Sequence, residues 1–180
     1  MLSDLQTKKL TRYFQVYDID DDGRIERSDF ERIVENVKLL HGDGARSDQL
    51  RTAYLNRWER LRSSADVDGD RGVDIDEWLA YWQLALEDDD RFEAEAQSIT
   101  DRLFSAFDVD EDEAIGRSEF ADFYGVFGLS VSLAETVFET LDTNEDGSIT
   151  RDELLSHSRD FYRGSDVEAA GNVLFGPYGA

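Results

Sequence analysis

Residues 142–153, with the sequence DTNEDGSITRDE, carry oxygen-bearing side chains at a spacing that could hold a metal ion. Positions 1, 3, 5 and 12 of this twelve-residue stretch are Asp142, Asn144, Asp146 and Glu153. Alternate residues of a tightly curved loop point inward, so these side chains can converge on one cation, and Gly147 at position 6 permits the sharp turn that follows. Hard oxygen ligands without a soft donor favour Ca²⁺. The alternative interpretation of residues 142–153 is an ordinary polar turn that binds no metal.

The pattern recurs three times, beginning at Asp18, Asp66 and Asp108, and apolar residues at helical spacing flank every copy. Four helix-loop-helix units then account for nearly the whole chain. Position 7 of each loop would contribute a backbone carbonyl, and the other ligands would be side chains. The predicted ligands are Asp18, Asp20, Asp22, Arg24 and Asp29; Asp66, Asp68, Asp70, Gly72 and Glu77; Asp108, Asp110, Asp112, Ala114 and Glu119; and Asp142, Asn144, Asp146, Ser148 and Glu153.

Three of the loops depart from the pattern. Asp29 replaces Glu at position 12 of loop 18–29, and its shorter side chain favours Mg²⁺ relative to a full Ca²⁺ site. Arg71 and Glu113 replace Gly at position 6 of the second and third loops, where a left-handed backbone costs a non-glycine residue about 1 to 2 kcal/mol. We expect three or four bound Ca²⁺ ions, with weaker binding at 66–77 and 108–119, and Mg²⁺ binding at 18–29 above all.

The composition narrows the possible partners. The 180 residues include 42 acidic and 19 basic side chains, for a net charge of -23, so neither nucleic acid nor an anionic membrane is an expected partner. Eleven Phe, seven Tyr and three Trp predict a packed core despite the high charge.

With two His and no Cys, we find no arrangement of nucleophile and base and predict that the chain is not an enzyme. The sequence shows no secretory signal or membrane span, so we expect a soluble cytoplasmic protein.

The loops resemble those of EF-hands, and the resemblance implies that the loops pair through a short antiparallel bridge between their position-8 residues. Ile25 should then face Val73, and Ile115 should face Ile149. The predicted fold is all-α, with four helix-loop-helix units in two paired lobes packed into one compact body. The predicted domains are 1–89 and 90–162, with a tail at 163–180 that packs on the core. We also expect Ser3 and Ser47 to begin helices as N-caps.

The loops resemble those of the EF-hand superfamily, and the chain as a whole is similar to the sarcoplasmic calcium-binding proteins and their bacterial relatives of the calerythrin type. The features that carry the closer resemblance are four such units, a long first connector, Asp29 at position 12, aromatic helices and the tail DFYRGSDVEAAGNVLFGPYG. The resemblance implies two lobes that share a large apolar core and a role mainly in Ca²⁺ buffering. It also implies that one or two loops are often degenerate.

Two functions remain open once Ca²⁺ binding is assumed. A sensor would open an apolar groove, often rich in methionine, to grip a target protein. This chain has a single methionine, and the tail residues Val173, Leu174, Phe175 and Tyr178 could fill such a groove or could instead be frayed. We therefore favour a buffer or transport protein, acting as a monomer, over a sensor with a target protein. A structural Ca²⁺ module of a larger assembly stays possible.

Overall fold

This computed structural model describes residues 1–178, apart from the side chains of Arg46 and Ile99. The described residues form eight α-helices and four very short strands. The helices are α1 Asp4–Tyr17, α2 Arg27–His41, α3 Ala45–Ala65, α4 Ile75–Glu87, α5 Asp89–Phe107, α6 Arg117–Val126, α7 Val131–Leu141 and α8 Arg151–Arg163. The strands are β1 Arg24–Ile25, β2 Val73–Asp74, β3 Ala114–Gly116 and β4 Ser148–Thr150, and a 3-10 turn follows at Ala170–Val173.

Local sequence signals explain where most helices begin. Ser3 caps α1, its Oγ accepting a hydrogen bond of 3.2 Å from the Gln6 amide, and Ser130 caps α7 through the Leu133 amide. The prediction for Ser47 is wrong. Helix α3 begins earlier, at Ala45, and the Ser47 hydroxyl instead donates to the Gly42 carbonyl at 2.6 Å, which closes the tight connection from α2.

The four strands form two antiparallel bridges, one in each half of the chain. In the first, Ile25 pairs with Val73, and in the second Ile115 pairs with Ile149. All four side chains are buried, which ties each pair of loops to the core beneath them. The predicted register is therefore confirmed, and the bridges hold each pair of acidic loops side by side.

The two halves pack into one body around a shared aromatic core. Trp82 of α4 stacks on Tyr162 of α8, with ring centroids 4.5 Å apart and planes 16° apart. Tyr17 of α1 meets Phe127, after α6, edge to face at 5.6 Å. Because these rings come from opposite halves, burying them requires both halves, and the predicted all-α fold with two packed lobes is confirmed.

The segment after α8 folds back onto this core. Leu174 and Phe175 are buried, and the Phe175 ring stacks on Tyr13 of α1 with centroids 4.0 Å apart. The hydroxyl of Tyr124 donates to the Leu174 carbonyl at 3.2 Å. The C-terminal segment thus fills space between α1, α6 and α8. The last two residues of the predicted tail, 179 and 180, lie outside the described residues.

The helices of the described chain also bear on the membrane question. Within residues 1–178, none of them combines the length and the apolar character needed to cross a bilayer.

Candidate metal centre

The loops between paired helices bring carboxylates together in three places. Each cluster has its oxygens within 4.8 Å of one another, and the clusters are Asp18, Asp20 and Asp22; Asp66, Asp68 and Asp70; and Asp108, Asp110 and Glu119. The first residue of each cluster directly follows a helix, as does Asp142 in the fourth loop. The end of the incoming helix therefore sets where the first ligand lies. Because every side-chain donor in the clusters is a carboxylate oxygen, the residues present fit a hard divalent cation.

Backbone amides hold the first carboxylate in place. In loop 18–29 the Asp18 oxygens accept hydrogen bonds from the amides of Asp22 at 3.1 Å and Gly23 at 2.9 Å. In loop 142–153 Asp142 accepts from the residues at the same two positions, 5 and 6, at 3.1 and 3.0 Å. These loops are the two with glycine at position 6. Burial raises the pKa of Asp18, and the amides of Gly23 and Asp22 oppose that rise.

The backbone turns at position 6 into the left-handed region in all four loops. Arg71 has φ of 78° and Glu113 has φ of 68°, so both non-glycine residues adopt the left-handed backbone that was expected at position 6. Position 4 is left-handed as well, a feature that the sequence analysis missed. There the residues are Asp21, Gly69, Glu111 and Glu145, with φ between 56° and 77°. The glycine at position 4 of loop 66–77 was the signal that could have revealed it.

The carboxylate at position 12 closes each loop onto its own backbone. The Glu119 oxygens accept from the amides of Val109 at 2.7 Å and Gly116 at 2.9 Å, which are positions 2 and 9. The shorter Asp29 reaches the same two positions, accepting from Ile19 at 3.1 Å and Glu26 at 2.7 Å. The shorter Asp29 side chain thus contacts the same two backbone positions as glutamate does in loop 108–119. Burial raises the pKa of Asp29 to about 6, although both amides act to lower it.

Loop 142–153 differs in one polar contact. The side-chain amide nitrogen of Asn144 donates to Asp146 Oδ2 and to Glu153 Oε1, both at 3.0 Å. The side-chain oxygen Oδ1 of Asn144 accepts a hydrogen bond from the backbone amide of Asp146 at 3.1 Å. The loop therefore brings its predicted side-chain ligands together, but with an N–H donor between two carboxylates. Asn144 would have to turn its oxygen inward to serve as a ligand.

The position-7 residues, predicted to act through their carbonyls, lie at the bridges. Arg24, Ala114 and Ser148 belong to β1, β3 and β4, and Gly72 comes directly before β2. The side chain of Arg24 has a second role that the sequence analysis did not foresee. Its guanidinium forms an ion pair with Asp70 in the neighbouring loop and holds the pKa of that carboxyl below its ordinary value. Pairing of the loops, and not any local motif, brings the two side chains together.

A second arginine also contacts a predicted ligand. Arg32 of α2 lies 3.2 Å from Asp20, the residue at position 3 of loop 18–29. Both loops of the first half therefore have an arginine against one of their acidic side chains. The sequence offered no signal for this contact, because Arg32 belongs to an ordinary helical surface pattern.

Comparison with protein families supports this reading of the loops. A model described as an EF-hand domain pair matches residues 101–159, and one described as an EF hand matches residues 11–34. Two separate segments of the chain thus match EF-hand models. The matched segments contain both loops of the second half and all of the first loop, the regions whose geometry is described above.

Relatives extend the similarity to nearly the full length of the chain. Calerythrin of Saccharopolyspora erythraea is 26% identical over 95% of the chain and 100% of its own. Sarcoplasmic calcium-binding proteins I, III and IV of Branchiostoma lanceolatum are 27% identical over 97% and 98%. Neither name is that of an enzyme, in agreement with the predicted lack of catalysis. The chain is thus similar to both groups that its sequence resembles.

A solved structure shares the fold of this chain. The calcium-loaded apo form of the coelenterazine-binding protein from Renilla muelleri superposes with a TM-score of 0.75 over 97% of this chain and 99% of its own, at 24% identity. The likeness covers both halves, so the arrangement of two packed lobes is common to the two proteins.

Proposed function

We propose that this protein binds three or four Ca²⁺ ions and acts as an intracellular calcium buffer or transport protein, with some Mg²⁺ binding. The observation that carries the proposal is the set of three carboxylate clusters with oxygens within 4.8 Å, each in a loop of twelve residues between paired helices. Clusters of like charge are costly unless a cation neutralises them. The relatives named for calcium binding support the same proposal.

The four loops differ in what they offer a cation. Loops 18–29 and 142–153 have glycine at position 6, where the left-handed backbone costs little. Loops 66–77 and 108–119 accept backbone strain at Arg71 and Glu113. We expect tighter Ca²⁺ binding at the first two, and Mg²⁺ binding mainly at 18–29, where Asp29 brings a shorter side chain to position 12.

The buffer role rests on the core and the C-terminal segment. The aromatic side chains that could form a target groove are buried, and Phe175 stacks within them on Tyr13. Met1 is the single methionine of the chain and is fully exposed, so a flexible methionine-lined groove is not available. The alternative is a sensor whose C-terminal segment leaves the core when Ca²⁺ binds, exposing apolar surface to a target protein.

We also propose an oligomeric state, a domain organisation and a location for the protein. We propose a monomer with domains at 1–89 and 90–162 and a tail at 163–180, located in the cytoplasm. The net charge of -23 argues against nucleic acid and anionic membranes as partners. Three bound Ca²⁺ ions would bring the charge to about -17, so binding should reduce self-repulsion and stabilise the fold.

Calorimetric titration of the full chain with Ca²⁺, with and without Mg²⁺, tests the proposal. We expect three or four ions and a large rise in melting temperature between chelator and excess Ca²⁺. Glu153→Gln should remove one binding event, because it deletes a charge and one strong acceptor at position 12. Absence of binding heat together with an unchanged melting temperature would refute Ca²⁺ binding.

A second measurement separates buffer from sensor. A fluorescent dye that binds apolar surface should respond little to Ca²⁺ if the protein is a buffer, because Phe175 stays in the core. A strong Ca²⁺-dependent dye signal, or retention on a hydrophobic resin only with Ca²⁺, would favour the sensor instead.

A further inference from the structure

The side chain of Arg24 crosses from one loop of the first half to the other. Arg24 is position 7 of loop 18–29, and its Nη2 pairs with Oδ1 of Asp70, which is position 5 of loop 66–77. The Arg24 Nε also lies 3.7 Å from Glu26. The pairing of Arg24 with Asp74 across the β1–β2 bridge sets this reach, so the contact is part of the bridge geometry and not a random surface pair.

The neighbouring loop leaves room for this guanidinium. Gly72 follows Asp70 by two residues, and a Cβ atom there would collide with Nη2, Nε and Cζ of Arg24. The Gly72 amide donates to the same Asp70 oxygen that Arg24 contacts, at 3.0 Å. A side chain at position 72 would therefore push Arg24 away from Asp70.

The second half offers an internal comparison. There the residue that corresponds to Arg24 is Ala114, and the one that corresponds to Gly72 is Ser148. The carboxylate equivalent to Asp70 is Asp146, which accepts hydrogen bonds from the amide and hydroxyl of Ser148, both at 2.9 Å. In the second half, then, a neutral group of the same loop contacts this carboxylate, whereas in the first half a full positive charge from the partner loop does so.

We propose that the guanidinium of Arg24 competes with a divalent cation for Asp70 in loop 66–77. This inference rests on the proposed function and assigns a specificity-determining role to a residue outside that loop. With its guanidinium on Asp70, the loop has one carboxylate already neutralised and a positive charge beside the place where a divalent cation would lie. A cation must displace the guanidinium or bind beside it, and either event weakens binding. The loop at 66–77 therefore binds Ca²⁺ less tightly than its four carboxylates suggest, for a reason separate from the strain at Arg71.

The arrangement also makes the two loops of the first half dependent on each other. The Arg24 main chain belongs to loop 18–29, where its carbonyl is a predicted ligand, and the Arg24 side chain contacts loop 66–77. Any movement of the Arg24 main chain on filling loop 18–29 would therefore move the guanidinium at loop 66–77 with it. The second half, with Ala114 in the corresponding place, lacks this charged link.

Arg24→Met tests the inference, because methionine keeps much of the length of the side chain and removes its charge. Titration calorimetry of the full chain should show the affinity of loop 66–77 rising about tenfold, the order expected when a unit charge about 6 Å from a divalent ion is removed in a water-like dielectric, because the Arg24 side chain reaches solvent. The gain should disappear when Glu77→Gln is added, since that change disables the same loop. In metal-free buffer the variant should melt at a lower temperature than the wild type, because Asp66, Asp68 and Asp70 lose a counter-ion.

Arg27→Met is the matched control. Arg27 stands three residues later and pairs with Glu31 at 2.8 Å and Glu59 at 3.6 Å, so its removal changes the net charge equally without touching loop 66–77. Equal Ca²⁺ affinities in the two variants would overturn the role of Arg24, as would a gain that survives Glu77→Gln. Absence of Ca²⁺ binding by the wild type and every variant would overturn the proposed function as well, which is a distinct result.

Discussion

Arg57 of α3 and Glu95 of α5 form an ion pair of 3.0 Å between the two halves of the protein, and the arginine side chain is only 1% exposed. The hydroxyl of Tyr81 donates to the other Glu95 oxygen at 2.8 Å and lies 3.4 Å from Arg57 Nη1. The charge of Glu95 sustains the protonated form of the buried Arg57, whose pKa is raised although burial alone would lower it. The two lobes are thus joined by a charged contact as well as by aromatic packing.

Glu95→Gln should strongly destabilise the protein, because it leaves the buried Arg57 charge without a counter-ion. The expected loss is about 3 to 5 kcal/mol in the free energy of unfolding, measured by urea denaturation in excess Ca²⁺. Glu93→Gln is the control. Glu93 is on the same helix and pairs with Arg159 at 2.8 Å, but both side chains are half exposed, so the loss should stay below about 1 kcal/mol. Equal losses in the two variants would contradict a special role for the buried pair.

How much the sequence could predict depends on how local each feature is. The position-8 pairs, such as Ile25 with Val73, follow from a repeat of twelve residues, and the structure has the same register. The contacts of Arg24 with Asp70 and of Arg57 with Glu95 join residues 46 and 38 positions apart, and no local pattern distinguishes these two arginines from the other arginines of the chain. Ser47 was misassigned because its hydroxyl could cap a helix or close a turn with equal chemistry.

Phe175→Ala should lower the free energy of unfolding and expose the apolar core. The ring stacks on Tyr13 and meets Phe161 edge to face at 5.0 Å, so its removal leaves a cavity among aromatic side chains. We expect a loss of about 3 to 5 kcal/mol by urea denaturation and an increase in binding of a dye specific for apolar surface. Val167→Ala in the same segment, where the valine is 62% exposed, should change neither quantity. A dye signal that stays low in Phe175→Ala would mean that the core closes without the C-terminal segment.

Lys9→Met tests how the C-terminal segment is held. The buried Lys9 ammonium donates to the carbonyls of Asp160 and Gly164, at 2.9 and 3.3 Å, and to Asn172 Oδ1 at 2.8 Å. Methionine fills similar space but leaves these three acceptors without their donor. The expected loss is roughly 2 to 4 kcal/mol at neutral pH by urea denaturation. Lys8→Met, at the exposed neighbouring residue, should have little effect, and a comparable loss there would point to net charge instead.

The same lysine predicts a pH dependence of stability. Burial lowers the pKa of Lys9 from 10.5 to about 8, and the Asp160 charge offsets this only in part. Between these two values the unfolded chain holds the proton and the folded protein tends to lose it, so the free energy of unfolding should rise as pH increases through this window. Urea denaturation of wild type and Lys9→Met between pH 7.5 and 9.5 measures the difference. The rise should be smaller in the variant, and parallel pH profiles would contradict the assigned shift.

Glu113→Gly should stabilise the protein despite adding a glycine. Glu113 is exposed and has φ of 68°, a conformation that costs a side chain about 1 to 2 kcal/mol and costs glycine little. Glycine also makes the unfolded chain more flexible, which returns part of that gain. We expect a net increase of about 0.5 to 1 kcal/mol in the free energy of unfolding in excess Ca²⁺, with tighter binding at loop 108–119.

Glu113→Ala separates backbone strain from charge, because it removes the same carboxylate while keeping a Cβ atom in the left-handed conformation. Glycine should therefore exceed alanine in stability at this position, when both are measured by urea denaturation under the same conditions. Gly125→Ala, in the last turn of α6 with open space around the added methyl group, should show the opposite preference, since helical backbone favours alanine by up to about 1 kcal/mol. If alanine were equal to glycine at position 113, the left-handed backbone there would not limit the stability of the loop.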